Sequence, residues 1–429
     1  MSKQVCSKNF NSMQKKLRWI KVAIATLGVM SFATILKLFL NLGVNKFVAI
    51  NVGPEGFANF ADIVNLVLIF SIFSGGFLNL YISKDISSEN NQEIIENKIG
   101  KYFSVISFLV FIAVLIIYVI LSIGANFVSF DFIPLIFVTA LLGSITTNLA
   151  IAILTGLQKI PTLAVFSLIQ PFLFLILLLK INGTIDLEEV IFCYALSFFC
   201  ALIPFLYFTT VVSLRDFRPS NVIAVLKSSS SYSLMLLMGT IIVPMSQIYI
   251  RGIIGVNLSV EDAGIWQSLA KISETNLFVI SAIIGPVYLV KIANSNDSEI
   301  RDIFALLMKI LVLYSAFYVF FINLFSSQII LTLYSSEFLK AAEYVLIQSS
   351  GDFFRTLTWL CLYILMIRKI TKYYIFIEIA TILALFSLSF YGLKMFGLDG
   401  IFYSYLIVNV LVCIICLWTI KCRYSKGRV

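Results

Sequence analysis

Apolar residues in this chain come in long runs parted by short polar clusters. The runs reach about 18 residues or more, the length that crosses a hydrocarbon layer about 30 Å thick. The pattern predicts spans at 22–50, 56–82, 101–124, 131–157, 161–180 and 188–213. A second set follows at 230–252, 262–289, 302–325, 343–367, 371–393 and 399–420. The stretch 326–342 is too short and too polar to cross, so it reads as an interfacial piece. The expected architecture is an all-α integral membrane protein of about twelve transmembrane helices in two six-helix lobes. A basic N-terminus (1–21) precedes the first lobe (22–213). A linker (214–229) joins it to the second lobe (230–420), and a basic tail (421–429) ends the chain.

Composition agrees and narrows the function. Of 429 residues, 60% are hydrophobic and only 12% charged, against roughly 25% charged in soluble domains. The net charge of +9 does not point to nucleic acid, because the basic residues follow the positive-inside pattern. With the N-terminus in the cytoplasm, twenty-two lysines and arginines fall on the inner side. Only Lys180, Arg251, Lys340 and Lys394 fall outside, so both termini are expected in the cytoplasm. Histidine is absent, which removes the usual proton shuttle and commonest metal ligand. No phosphate-binding loop of the G-x-x-x-x-G-K-[ST] type occurs, and no loop is large enough for a nucleotide-binding domain, so the chain does not hydrolyse ATP by itself. Short outer loops argue against an integral-membrane glycosyltransferase, ligase or polymerase.

The informative residues are charges inside the spans, where burial in lipid costs several kcal/mol. Lys37 lies mid-span, with Asn41 and Asn45 on its face. Asp62 and Asn65 form a stripe on the second span, where Asp62 is the natural partner for Lys37. Gln247 and Arg251 end the seventh span. The eighth carries Gln267, Lys271 and Glu274, and the tenth carries Gln348, Asp352 and Arg355. Lys271 with Glu274, and Asp352 with Arg355, have the i,i+3 spacing of local ion pairs. Lys46, Lys309 and Glu378 lie near span ends, where a long side chain can snorkel to the interface. Pro171, Pro204, Pro244 and Gly285-Pro286 are candidate kinks or hinges.

Two readings share these residues. As struts, the charges brace the bundle. As a site, Lys37, Asn41, Lys46, Arg251, Gln267, Lys271 and Arg355 line a hydrated cavity between the lobes, formed by spans 1, 2, 7, 8 and 10. Asp62, Glu274 and Asp352 then hold the cations in place or bind a coupling ion. Such a lining suits an anionic, hydroxyl-rich cargo, because arginine and lysine match phosphate and amides match sugar hydroxyls.

Several stretches resemble a known family. They are Asn45-Lys46, Asn51-Val52-Gly53-Pro54-Glu55-Gly56, Gly264-Ile265-Trp266-Gln267, Gly351-Asp352 with Arg355, and Lys372-Tyr373-Tyr374-Ile375 leading to Glu378. In that order and spacing they resemble the Wzx-type flippases of the MATE-like MOP superfamily, which move lipid-linked O-antigen or enterobacterial common antigen units. The resemblance implies a two-lobed protein of the bacterial inner membrane. It would turn an undecaprenyl-pyrophosphate-linked oligosaccharide from the cytoplasmic to the periplasmic leaflet by alternating access. It implies no enzyme activity and no cofactor beyond a Na+ or H+ gradient. Its implied partners are the lipid-linked glycan, membrane lipid, and the polymerase and chain-length proteins of the pathway. Functional positions matching the family pattern are Lys37, Lys46, Arg251, Asp352, Arg355 and the acidic Glu274; Lys271 and Asp62 depart from it. The alternative is a cation-coupled multidrug or solute exporter of the same fold, with Asp62, Glu274 or Asp352 as coupling carboxylate.

Overall fold

The computed structural model describes residues 2–89, 91–122, 133–181, 185–209, 219–294, 297–368 and 370–425. Arg215, Arg218, Lys369, Lys426 and Arg428, counted above for orientation, lie outside them, as do the side chains of Pro204 and Pro286. The first two expected spans form one assigned helix, α1 (Ser2–Phe73), bent at Gly53. There φ is 65° and ψ is −174°, a conformation essentially reserved for glycine. Pro54 follows and cannot donate a helical hydrogen bond, so the Gly53-Pro54 pair turns the chain back on itself. The break falls between the expected spans 22–50 and 56–82. The α-helix α5 (Ile160–Lys180) runs through Pro171, and α7 (Pro219–Asn257) runs through Pro244.

The second span ends earlier than the expected residue 82. Gly75 adopts φ 134° and the chain passes through a 3-10 turn, Gly76–Leu78, before resuming as the short α2 (Asn79–Ser87). The N-terminal lobe is completed by α3 (Gln92–Ser122), α4 (Ile133–Gly156), α5 and α6 (Leu187–Thr209). The inter-lobe segment is already helical from Pro219, the first residue of α7, where a missing N–H costs nothing. The C-terminal lobe then has α8 (Val260–Asn294), α9 (Asp297–Leu324), α11 (Val345–Ile367), α12 (Thr371–Phe396) and α13 (Leu398–Ser425). The expected interfacial piece is α10 (Ser326–Leu333) followed by a 3-10 helix, Ser336–Tyr344. Counting the arms of α1 separately, the described residues form twelve long helices, which match the twelve expected spans. Among the described residues, eight helices contain a stretch apolar enough to qualify as a span by composition. The charge-bearing α8 and α11 are not among them, which fits helices that face protein more than lipid.

Packing follows the two-lobe division. In the first lobe α1 packs on α4 and α5, and α4 on α6. In the second, α11 packs on α13 and α9, and α12 on α13 and α7. The lobes meet through α1 against α7 and α8. The short α2, α3 and the Gly76–Leu78 turn also pack on α7, where the Tyr81 hydroxyl is hydrogen-bonded to that of Ser228 at 2.9 Å, and at the end opposite the termini the contact is made by aromatic rings. Phe57 beyond the Gly53 kink makes edge contacts with Tyr334 and Phe338, each at 5.7 Å between ring centroids. Gly264 of α8 sits directly on the backbone of Pro54, leaving no room for a Cβ. The first arm of α1 keeps one side buried, with Ala33 2% exposed, and turns the other outward. Val44, Val48 and Ala49 are buried, whereas Val29, Phe32, Ile35, Leu36 and Phe39 are exposed.

Candidate functional site

Two helical stripes, complementary and antiparallel, meet where the lobes join. Asp62 and Asn65 lie three residues apart on the second arm of α1; Gln247 and Arg251 lie four apart on α7. Such spacings put each pair on one helix face. Arg251 Nε donates to Asp62 Oδ1 at 2.8 Å, and its Nη2 approaches the same oxygen at 2.7 Å. Asn65 Nδ2 donates to Gln247 Oε1 at 2.9 Å. The expected pairing of Asp62 with Lys37 is therefore replaced. Arg251 is buried at the lobe junction and would be left without a carboxylate if Asp62 turned elsewhere. Its Nη1 also donates to Gln267 Oε1.

From this junction the polar chain continues into α8. Gln247 Nε2 donates to Glu274 Oε1 at 2.5 Å, and Lys271 Nζ lies 2.9 Å from Glu274 Oε2. The expected i,i+3 pair of Lys271 and Glu274 thus forms. The pair Asp352 and Arg355 does not meet directly, and no ion pair joins them among the described residues. Tyr405 of α13 stands between: its hydroxyl donates to Asp352 Oδ1 at 2.8 Å and accepts from Arg355 Nη1 at 3.3 Å. Asp352 Oδ2 accepts from Ser273 at 2.8 Å and from Tyr318 at 3.1 Å. Gln348 Nε2 donates to Ser273 Oγ at 2.7 Å. A buried carboxylate needs such donors, since its lone pairs are otherwise unsatisfied. Gly351 allows this arrangement, because a Cβ there would strike the Tyr405 ring.

Lys37 and Lys46 are half-buried and Asn41 is exposed. None of them joins this network, and Lys37 enters no ion pair among the described residues. Tyr405, Tyr318 and Ser273 were missed from the sequence. The available signal was weak: a tyrosine in a buried helix must find a partner for its hydroxyl.

A cavity of about 370 Å³ lies inside the C-terminal lobe, walled by α7, α8, α11, α12 and α13. Of the seven residues expected to line an inter-lobe cavity, Arg355 lines this one; Lys37, Asn41, Lys46, Arg251, Gln267 and Lys271 do not. Glu378, expected to snorkel, instead faces this cavity beside Tyr374.

This architecture is shared by transporters. The chain matches an inward-facing multidrug resistance MATE family transporter of the MOP superfamily with TM-score 0.72 and 14% identity, over 93% of this chain and 98% of that one. It matches a MOP superfamily transporter from Pyrococcus furiosus, described by a binding pocket of reversed polarity, with TM-score 0.67, 14% identity and coverage of 94% and 95%. The VcmN MATE transporter of Vibrio cholerae, in a mutant form, gives TM-score 0.62, 12% identity and coverage of 95% and 96%. The molecule is a multi-pass membrane protein with the MATE transporter fold, as the sequence resemblance implied. More narrowly, residues 24–289 match the polysaccharide biosynthesis protein family, and the chain belongs to that family. No curated protein matches it.

Proposed function

We propose that this protein is a flippase for an undecaprenyl-pyrophosphate-linked oligosaccharide, an O-antigen-type repeat unit, in the bacterial inner membrane. The observation that carries the reading is the combination of a polysaccharide-biosynthesis family sequence with a transporter fold. A chain of this kind serves glycan assembly by moving an intermediate, not by making a bond. A pyrophosphate with several sugars cannot enter hydrocarbon unaided, because each uncompensated polar group costs several kcal/mol and charges cost far more. The cleft between the lobes supplies the hydrated path: Lys37, with no acidic partner among the described residues, offers its charge to the phosphates. The prenyl tail stays in lipid. With both termini in the cytoplasm, as the distribution of basic residues predicts, cargo enters from the inner leaflet. A Na+ or H+ gradient, or removal of product by polymerase and chain-length proteins, drives the cycle.

Deleting the gene tests this. Undecaprenyl-linked glycan should accumulate on the cytoplasmic leaflet while surface polysaccharide is lost. Lys37→Ala and Arg355→Ala should fail to restore export, and Lys37→Arg and Arg355→Lys should restore part of it. Hypersensitivity to lipophilic cationic drugs without glycan accumulation would replace the reading with a cation-coupled multidrug exporter; a protein of similar fold is described as a multidrug resistance transporter.

A further inference from the structure

The cavity is walled entirely by helices of the C-terminal lobe, and its lining has a chemistry of its own. We propose that it is a saccharide subsite, seating one or two sugar rings of the cargo while the phosphate end remains in the cleft. The proposal rests on the flippase reading and extends it by dividing the cargo between two places.

Size comes first. At about 370 Å³ the cavity falls near the lower end of small-molecule sites, roughly 300–1,000 Å³. It has room for a short saccharide but not for a prenyl pyrophosphate with its glycan. The lining is largely apolar with a few convergent polar groups, the usual composition of a ligand site. Sugars present hydroxyls that both donate and accept, together with C–H faces that pack on aromatic rings. The walls answer both needs. Arg355 brings only donors and Glu378 only acceptors, whereas the amides of Gln348 and Asn409 can do either. Trp266 and Trp359 supply the flat apolar surfaces. Trp359 is held rigid by stacking on Tyr363, with ring centroids 4.8 Å apart and planes 21° apart.

A second observation points to a ligand. Gln348 is only 4% exposed, and its Oε1 has no hydrogen-bond partner among the described residues, although the amide nitrogen of the same side chain is bonded to Ser273. A buried acceptor left open is costly, and a sugar hydroxyl would satisfy it. Arg355 likewise uses one N–H, on Tyr405, among the described residues. The same wall includes Gln247, whose amide bridges to Asn65 of the other lobe. A sugar that engages Gln247 competes with that bridge, so filling the cavity loosens the junction.

The test uses the full-length protein in lipid nanodiscs. The probe is the oligosaccharide released from the cells' own lipid-linked glycan by mild acid, free of lipid and phosphate. Binding is followed by calorimetry and tryptophan fluorescence. Trp359→Ala should weaken binding about three- to tenfold, the worth of one aromatic contact. Trp359→Phe should recover most of that, and Gln348→Leu should weaken binding about fivefold or more. Because Lys37 is assigned to the phosphate end, Lys37→Ala should leave the affinity for this phosphate-free probe within about twofold. Loss of binding in Lys37→Ala with retention in Trp359→Ala would place the sugars in the cleft and overturn the subsite. So would no binding of the probe to the wild-type protein, or Trp359-dependent binding of tetraphenylphosphonium that the glycan does not displace. Failure here alongside glycan accumulation in the deletion strain sinks the subsite alone. Absence of that accumulation sinks the flippase reading itself.

Discussion

Asp62 and Arg251 are 189 residues apart in the chain and meet at 2.7 Å, joining the two lobes through a single carboxylate oxygen. The pair is lopsided. The Arg251 side chain is 1% exposed and the Asp62 side chain 34% exposed, so the two partners have unequal freedom to find water when left alone.

This asymmetry gives the first prediction. Asp62→Ala strands a buried guanidinium and should destabilise by about 3–5 kcal/mol, the cost of breaking a buried pair from one side. Arg251→Met leaves a carboxylate that can reach solvent and should cost clearly less. The double variant should be more stable than Asp62→Ala alone. Apparent melting temperatures in detergent, compared across the three variants, decide it; equal losses in both single variants would contradict the geometry.

The contact of Gly264 with the Pro54 backbone predicts a conformational effect. Gly264→Ala puts a methyl group where backbone already lies, and neither helix can yield without moving its lobe. Overpacking of this kind costs about 1–3 kcal/mol or more. The lobes should separate at the end opposite the termini. Spin-label distances between α1 and α8 near that end should lengthen, and single cysteines there should become reactive to water-soluble thiol reagents.

Tyr405 should couple Asp352 to Arg355. Tyr405→Phe removes one hydroxyl that serves both ions, and hydrogen bonds to charged groups are worth about 1.5–3 kcal/mol. Transport should fall, and the effects of Tyr405→Phe and Asp352→Asn should be non-additive by about 0.5–3 kcal/mol in a double-mutant cycle. Simple additivity would mean that the bridge has no role. If Asp352→Ala and Arg355→Ala are each inactive and the double variant recovers export, the pair is a strut and not part of the cargo path.

Asp262 lies in the first turn of α8, where the loop after α7 enters the helix. Its backbone N–H donates to Ser259 Oγ at 3.0 Å, that hydroxyl donates to Asp262 Oδ2 at 2.9 Å, and Lys340 Nζ lies 2.7 Å from Oδ1. Desolvation works to raise the carboxyl's pKa, but the hydrogen bonds from Lys340 and Ser259 and the lysine's charge outweigh it and hold the pKa below the usual carboxylate range. A depressed pKa in the folded state means that the stabilisation is present above the ordinary carboxylate pKa and is lost as pH falls through the depressed value. Half the Lys340 side chain is exposed, so the contribution is under about 1 kcal/mol. Asp262→Asn should therefore flatten the acid limb of the melting-temperature profile slightly and leave the neutral limb nearly unchanged.

The order and number of spans were legible in the chain because hydrocarbon thickness sets a length that apolar runs must meet. The two-lobe division, the interfacial piece at 326–342 and the i,i+3 pair of Lys271 with Glu274 were equally readable, since each depends on residues close in sequence. The partners of Asp62, Asp352 and Arg355 were not. Helical periodicity says which side chains share a face, but nothing about which helix that face meets. Lys37 was the expected partner of Asp62, but α1 bends at Gly53 and lays its second arm along α7, where Arg251 takes that place. Tyr405 entered between Asp352 and Arg355 only because α13 packs on α11 where Gly351 leaves space. The cavity's position inside one lobe was likewise decided by how five helices, distant in sequence, close around a volume that no single helix encodes.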